Sequence, residues 1–168
     1  RNPVTMPFRF FDTGLLKIIQ KYAPIHLNTH YNHPKEMTRE ALYACTRLSL
    51  AGIPVGNQSV LLKGINNTPE TMTEVCHKLL LMRVRPYYIF QCDLAEGISH
   101  FRTPIADGIE IIEKMRGWTS GLAIPHYVID SPGGGGKIPA GPNYVLKHEG
   151  NKVTLRNFRG KEYIYWEP

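Results

Sequence analysis

The sequence has few cysteines and no long apolar run, and both scarcities restrict the class of protein. Only Cys45, Cys76 and Cys92 occur among the 168 residues, and no two of them form a CxxC pair. We therefore expect neither disulfide bonds nor a structural zinc site, and a reducing, cytoplasmic location. Because no apolar run reaches the roughly 18 residues of a membrane-spanning helix, we expect no membrane partner.

Charge of one sign is not concentrated in any segment either. The 20 lysines and arginines exceed the 14 aspartates and glutamates, which gives a net charge of +6, but the basic residues are dispersed. No basic cluster is interleaved with aromatic residues in the manner of single-strand-binding proteins. We therefore expect no nucleic-acid partner, whereas the positive charge suits an anionic cofactor or substrate.

Strand and helix patterns alternate through the first two-thirds of the chain. The predicted helices cover 13–22 with Thr13 as N-cap, 39–51, a segment opened by Thr68-Pro69-Glu70, and a segment from Thr103 to Gly117. The predicted strands cover 25–31, 55–62, 85–91 and 123–129. This alternation favours βαβ units and an α/β fold with a parallel sheet.

The pattern changes after Gly121. Segments 144–148 and 153–158 flank Glu149-Gly150-Asn151-Lys152, which is typical of an antiparallel hairpin, and 162–166 is predicted to add a third strand. We therefore divide the chain into 1–121 and a β-rich C-terminal part, 122–168, which begins with a strand and a glycine loop.

Polar residues gather where the predicted strands end. They occupy 28–33, 56–59, 91–93 and Asp130. Active sites of parallel α/β proteins lie at the carboxyl ends of strands. A buried polar group costs about 1–3 kcal/mol unless it is paired, so a series of such groups predicts a site.

Two aspartates and three histidines stand out among these polar residues. Asp93 and Asp130 at neighbouring strand ends can clamp an ammonium group, act as an acid–base pair, bind a metal or simply form turns. His26, His30 and His33 suggest metal only weakly, because no fourth ligand is visible. A hydrogen-bonding role suits His30 better.

The glycine run before Lys137 invites comparison with a phosphate-binding P-loop. That interpretation fails, because the pattern requires glycine at Ser131 and Ser or Thr at Ile138. A flexible surface loop remains an alternative. Glycines also let the backbone approach a ligand and let a lysine swing, which suits the lysine that anchors pyridoxal phosphate (PLP).

Taken in order, five segments closely resemble the lysine 2,3-aminomutase family over essentially the whole chain. They are Asn28-Thr-His-Tyr-Asn-His-Pro34, Gly56-Asn-Gln-Ser-Val-Leu-Leu-Lys-Gly64, Arg83-Val-Arg-Pro-Tyr-Tyr-Ile-Phe-Gln-Cys-Asp93, His100-Phe-Arg-Thr-Pro104 and Asp130-Ser-Pro-Gly-Gly-Gly-Gly-Lys137. The resemblance implies an isomerase of the radical S-adenosylmethionine (SAM) class on a partial (β/α) barrel. Residues 1–121 would form the C-terminal half of that barrel. SAM, a [4Fe–4S] cluster and PLP would interconvert L-lysine and β-lysine by radical amino migration.

The resemblance also implies roles for individual residues. Lys137 resembles the lysine that forms the Schiff base with PLP, and Asp93 and Asp130 resemble the carboxylates that hold the side-chain ammonium of lysine. Because related glutamate 2,3-aminomutases replace these acids, their presence favours a cationic substrate. Cofactor contacts are implied for four more residues: His30 and Gln58 with SAM, and Tyr87 and Phe90 beside PLP.

Several family features lie outside this sequence. The CxxxCxxC cluster motif, the first barrel strands and the arginines that hold the substrate carboxylate and cofactor phosphate are absent. Some family members build a zinc site from a tail and a cysteine near the position of Thr68, and we expect no metal ligand here. We expect the chain alone to be inactive, to need the N-terminal barrel portion, and to form a homo-oligomer in the complete enzyme. The alternatives are an aminomutase that serves elongation factor P and a non-catalytic PLP-binding or association fragment.

Overall fold

A five-stranded sheet organises the larger part of the protein. The computed structural model describes residues 3–168, apart from the side chain of Thr13. The strands of this sheet are β1 (Leu27–Thr29), β2 (Val55–Leu61), β3 (Arg85–Gln91), β4 (His126–Asp130) and β5 (Lys137–Pro139), in that spatial order. Strands β1 to β4 are parallel, and β5 runs antiparallel to β4. The predicted α/β class with a parallel sheet is thus confirmed.

Four helices alternate with the parallel strands. They are α1 (Thr13–Lys21), α2 (Arg39–Leu50), α3 (Pro69–Leu81) and α4 (Ile105–Met115), and short 3-10 turns cover Pro7–Phe10, Pro34–Glu36, Ser99–Phe101, Gly121–Ala123 and Pro132–Gly134. The hydroxyl of Thr68 caps α3 by accepting the Thr71 N–H at 3.2 Å. The predicted cap of α1 is wrong: Thr13 is already helical, and the Asp12 carboxylate accepts the Gly14 N–H at 3.1 Å. A carboxylate also complements the positive end of the helix dipole.

The helices and one face of the sheet enclose a single hydrophobic core. Its members come from all four helices and from the helix-facing side of the strands, including Leu16, Leu48, Leu79, Ile111, Leu61, Ile89 and Tyr127. Burial alternates along β2, as expected for a strand with one covered face. We call the opposite side the open face; it carries Gly56, Gln58, Val60, Tyr88, Phe90, His126, Asp130 and Lys137.

Strand β1 is shorter than predicted because the chain leaves the sheet after Thr29. The side chain of Asn57 takes over the role of strand pairing there. Its amide oxygen accepts the Tyr31 N–H at 2.7 Å and the Thr29 hydroxyl at 2.9 Å. Its amide nitrogen donates to the Tyr31 carbonyl and to the Ser59 hydroxyl, both at 3.0 Å. Asn57 therefore fixes the segment after β1 to the sheet.

Three antiparallel strands form a second, smaller sheet. They are β6 (Val145–Glu149), β7 (Lys152–Arg156) and β8 (Glu162–Trp166), so the predicted hairpin and third strand are confirmed. An ion pair of 2.7 Å between Arg156 Nη2 and Glu113 Oε1 links this sheet to α4. Strands β4 and β5 fall within the predicted C-terminal part, yet they pair into the larger sheet. The division at residue 121 stays a prediction.

None of the helices in the described part of the chain is both long and apolar enough to cross a membrane.

We expect the cysteines to resist alkylation in the folded chain. Cys45, Cys76 and Cys92 are buried free thiols. Burial raises the pKa of Cys45 to about 11 and that of Cys76 to about 12. Because the thiolate is the reactive form, iodoacetamide at about pH 8 should label Cys45 roughly 100-fold more slowly than in the unfolded chain. Peptide mass spectrometry with and without urea measures this difference, and equal rates would contradict it.

Candidate functional site

The carboxyl ends of β3 and β4 bring together most of the residues singled out from the sequence. Asp130 is the last residue of β4, and Asp93 lies two residues beyond the end of β3. Since β3 and β4 are neighbours, the two carboxylates lie at one edge of the sheet. Both line a pocket of about 370 Å³.

The pocket between these strand ends has mixed charge and partly apolar walls. Besides the two aspartates it is lined by Gln91, Cys92, Leu94, Arg102, Thr103, Pro104, Ile105, Ile129 and Pro132. Burial, followed by the charge of Asp93, raises the pKa of the Cys92 thiol, while Arg102 acts in the opposite direction. Two carboxylates against one guanidinium leave the lining with an excess of negative charge, which suits a cationic ligand.

Lys137 enters the site through a hairpin that the sequence did not predict. The glycine segment is closed by a 2.9 Å hydrogen bond from the Ser131 N–H to the Gly136 carbonyl. Lys137 then begins β5 and lies directly opposite Asp130. Its Nζ is 3.2 Å from Asp130 Oδ1 and 5.3 Å from the centroid of the Phe90 ring. The glycine run therefore makes a turn that places the lysine beside the aspartate.

Aromatic side chains on β3 continue the site along the sheet. The ring centroid of Tyr88 lies 5.4 Å from that of Phe90 and 3.9 Å from that of Tyr87. Adjacent residues of a regular strand point to opposite faces, but here the register with β2 shifts between Asn57 and Gln58. Tyr87 is the extra residue of this bulge, and such bulges re-aim side chains. A hydrogen bond with Tyr88 raises the pKa of Tyr87, which the charge of Lys137 partly opposes.

Two residues that shape this edge were not identified from the sequence. The buried hydroxyl of Tyr127 donates to the side-chain oxygen of Gln91, whose amide nitrogen donates to the Thr103 carbonyl at 2.7 Å. This chain ties the end of β3 to the segment that precedes α4. Gly108 makes room for it, because a Cβ at that position would overlap the Tyr127 ring. A glycine inside a helical pattern was the available signal.

His30 and Gln58 lie toward the β1 end of the sheet, away from Lys137. Gln58 is partly buried on the open face of β2 and pairs in register with Tyr88. His30 is partly buried in the segment after β1, next to the backbone that Asn57 holds. The order of the strands places β2, β3 and β4 between His30 and Lys137, and β3 and β4 between Gln58 and Lys137. His30 and Gln58 therefore belong to a different part of the sheet from Lys137.

His26, His30 and His33 flank strand β1 and, among the described residues, are not grouped with other metal-ligating residues. Within residues 3–168, no three His, Cys, Asp or Glu side chains are grouped closely enough to hold a metal ion. His33 instead caps the 3-10 turn that follows it, because its Nδ1 accepts the Lys35 N–H at 3.1 Å. The Glu36 carboxylate completes the capping box by accepting the His33 N–H at 2.9 Å.

The chain is similar in sequence to known aminomutases. The family model described as lysine-2,3-aminomutase matches residues 112–168. The chain is 54% identical to the L-lysine 2,3-aminomutase of Fusobacterium nucleatum over 168 residues, which are 100% of this chain and 39% of that protein. The chain is similar over its whole length to L-lysine 2,3-aminomutases. It corresponds to the C-terminal part of these relatives.

One relative of a different specificity is nearly as similar. The chain is 48% identical to the glutamate 2,3-aminomutase of Clostridioides difficile over 161 residues, which are 96% of this chain and 38% of that protein. A radical SAM methyltransferase from Sphaerobacter thermophilus superimposes with a TM-score of 0.49 at 16% identity, covering 70% of this chain and 38% of the other. The chain spans about two-fifths of the length of the curated aminomutases that it matches, and this similarity leaves the substrate to be argued from the site.

Proposed function

We propose that this chain supplies the substrate ammonium site and the cofactor lysine of an L-lysine 2,3-aminomutase. The proposal rests on one observation: Asp93, Asp130 and Lys137 lie together at the same edge of the sheet. The two carboxylates line one pocket, and the lysine ammonium lies 3.2 Å from one of them. In this proposal the complete protein interconverts L-lysine and β-lysine.

The charge of the pocket supports lysine over glutamate as the substrate. The side-chain end of lysine carries an ammonium group, whereas that of glutamate carries a carboxylate. Asp93 and Asp130 would bind the ammonium by charge-assisted hydrogen bonds, and they would repel a carboxylate. Arg102, which also lines the pocket, reduces the negative charge, and the Lys137 ammonium offsets that of Asp130 as long as its amine is free. We therefore assign the two aspartates to the ε-ammonium of L-lysine.

The surroundings of Lys137 fit pyridoxal phosphate. About half of the Lys137 side chain is exposed, at 48%, so an aldehyde can reach its amine. The Phe90 ring lies beside that amine, and Tyr87 and Tyr88 extend the aromatic surface. Planar aromatic rings pack well against a pyridine ring. When bound, PLP supplies a conjugated π-system that delocalises an unpaired electron.

The other proposed parts of the enzyme lie around this edge. We propose that the sheet, with helices on one face, is the C-terminal portion of a (β/α) barrel whose interior is the open face. His30 and Gln58 would contact SAM on the β1–β2 side, while Lys137 holds PLP on the β4–β5 side. The [4Fe–4S] cluster would be held by the remainder of the complete protein, which we propose to be a homo-oligomer.

Covalent trapping tests the cofactor assignment on this chain. Condensation of an amine with the PLP aldehyde releases one water, and borohydride then reduces the C=N bond to a stable secondary amine. We expect one pyridoxyl group on Lys137, found by peptide mass spectrometry, and its complete loss in Lys137→Met. Lys147→Met is the matched control, because Lys147 also forms an ion pair, 2.6 Å from Glu149. Equal trapping at Lys137 and Lys147 would contradict the assignment of Lys137 as the cofactor lysine.

A further inference from the structure

One carboxylate serves two ammonium groups in the proposed function. Asp130 is assigned to the substrate, yet its Oδ1 already lies 3.2 Å from the Lys137 ammonium. The two residues are also direct partners in the β4–β5 register, and opposite residues of an antiparallel pair project to the same face. The backbone therefore enforces this contact, which does not depend on two long side chains meeting by chance.

The free Lys137 ammonium resembles the group that the pocket is proposed to bind. Both are primary alkylammonium ions with three N–H donors. Lys137 Nζ contacts Asp130 from the side of the Phe90 ring, whereas a free ligand would reach Asp130 from the pocket that Asp93 also lines. Two cations at one carboxylate repel each other, so the presence of one weakens the binding of the other.

We propose that the uncommitted ammonium of Lys137 masks Asp130 and thereby weakens binding of a substrate ammonium until Lys137 carries the cofactor. The inference rests on the proposed function and adds an order of binding to it. When the Lys137 nitrogen is bonded to the cofactor, it no longer has three N–H groups to donate to Asp130. Cofactor attachment and ammonium binding are then coupled, and each favours the other.

The size of this coupling follows from the exposure of the pair. Lys137 and Asp130 are exposed by 48% and 43%, and ion pairs of this kind are screened by solvent. Removal of the Lys137 charge should therefore strengthen ammonium binding about two- to fivefold. An effect of this size is small, but it is measurable in a direct comparison of variants.

Ligand titration of the cofactor-free chain tests the masking. We expect L-lysine, followed by NMR, to bind Lys137→Met two- to fivefold more tightly than the unmodified chain. Norleucine has the same carbon chain without the ε-ammonium and should show no gain. The double variant Lys137→Met/Asp130→Asn should lose the gain, and Lys147→Met, which breaks an ion pair outside the pocket, should not produce it.

The outcomes separate this inference from the proposed function. Unchanged or undetectable lysine binding by Lys137→Met overturns the masking, as does an equal gain in Lys147→Met or with norleucine. If PLP is trapped on Lys137 but the gain is absent, only the masking fails. If the gain is present but trapping fails, the ion pair does mask Asp130, but the cofactor assignment and the order of binding both fail.

Discussion

Replacement of Asn57 by alanine is expected to lower the free energy of unfolding by about 3 kcal/mol. The Asn57 side chain is 1% exposed and hydrogen-bonds to Thr29, Tyr31 and Ser59. Its loss leaves the buried Tyr31 N–H without the oxygen that accepts it and opens a cavity beside β1. Urea denaturation followed by circular dichroism measures the change.

Asn151→Ala is the matched control for this variant. Asn151 lies in an exposed turn, where its side chain donates to the Pro168 carbonyl at 3.3 Å. Exposed substitutions of this kind usually change stability by about 0.5 kcal/mol or less. A loss below about 1 kcal/mol for Asn57→Ala would mean that water replaces the side chain, and that Asn57 does not fix the segment that carries His30.

Replacement of Gly108 by alanine is expected to lower the free energy of unfolding by about 2 kcal/mol. A Cβ at this position would overlap the Tyr127 ring, and overpacking of this kind costs about 1–3 kcal/mol or more. The higher helix propensity of alanine offsets about 1 kcal/mol of a larger clash. Because the Tyr127 hydroxyl binds Gln91, the shift should also disturb the edge that holds Asp93.

A double-mutant cycle identifies the Tyr127 ring as the cause. Tyr127→Leu removes the atoms that the new Cβ would meet, so Gly108→Ala should cost less in that background. Gly121→Ala is the matched control, since a Cβ there meets nothing within 4 Å. Equal costs of Gly108→Ala with and without Tyr127 would show that the clash is relieved by a movement of α4 instead.

The helices and several strands were predictable because each depends on local periodicity. Strands β3 and β8 have the predicted bounds, 85–91 and 162–166. Strand β5 was missed because a three-residue segment that contains Pro139 has no pattern of its own. It forms only because the glycine loop returns it to the edge of β4. The pairing of Lys137 with Asp130 is therefore a tertiary property.

Polar residues at strand ends were only a partial guide to the site. Asn57 and Ser59 alternate with Gln58, and they share a face with Val55 and Leu61, which are buried. This shared parity was the sequence signal that Asn57 and Ser59 face the helices, whereas their hydrogen bonds with Tyr31 are a tertiary property. Asp93 and Asp130 do lie at the ends of neighbouring strands, as expected from the sequence. Their pocket with Arg102 depends on the loop before α4, which no local pattern describes.

The number of residues in the loop between β4 and β5 decides whether Lys137 lies opposite Asp130. Side chains alternate between faces along β5, so removal of one glycine from the segment between Ser131 and Lys137 would shift the register by one residue. Ile138 would then occupy the place opposite Asp130, and the lysine would project from the other face. Removal of two residues would restore the face but shorten the turn. We therefore expect this loop to differ in length among related aminomutases only by even numbers of residues, even where the individual glycines differ.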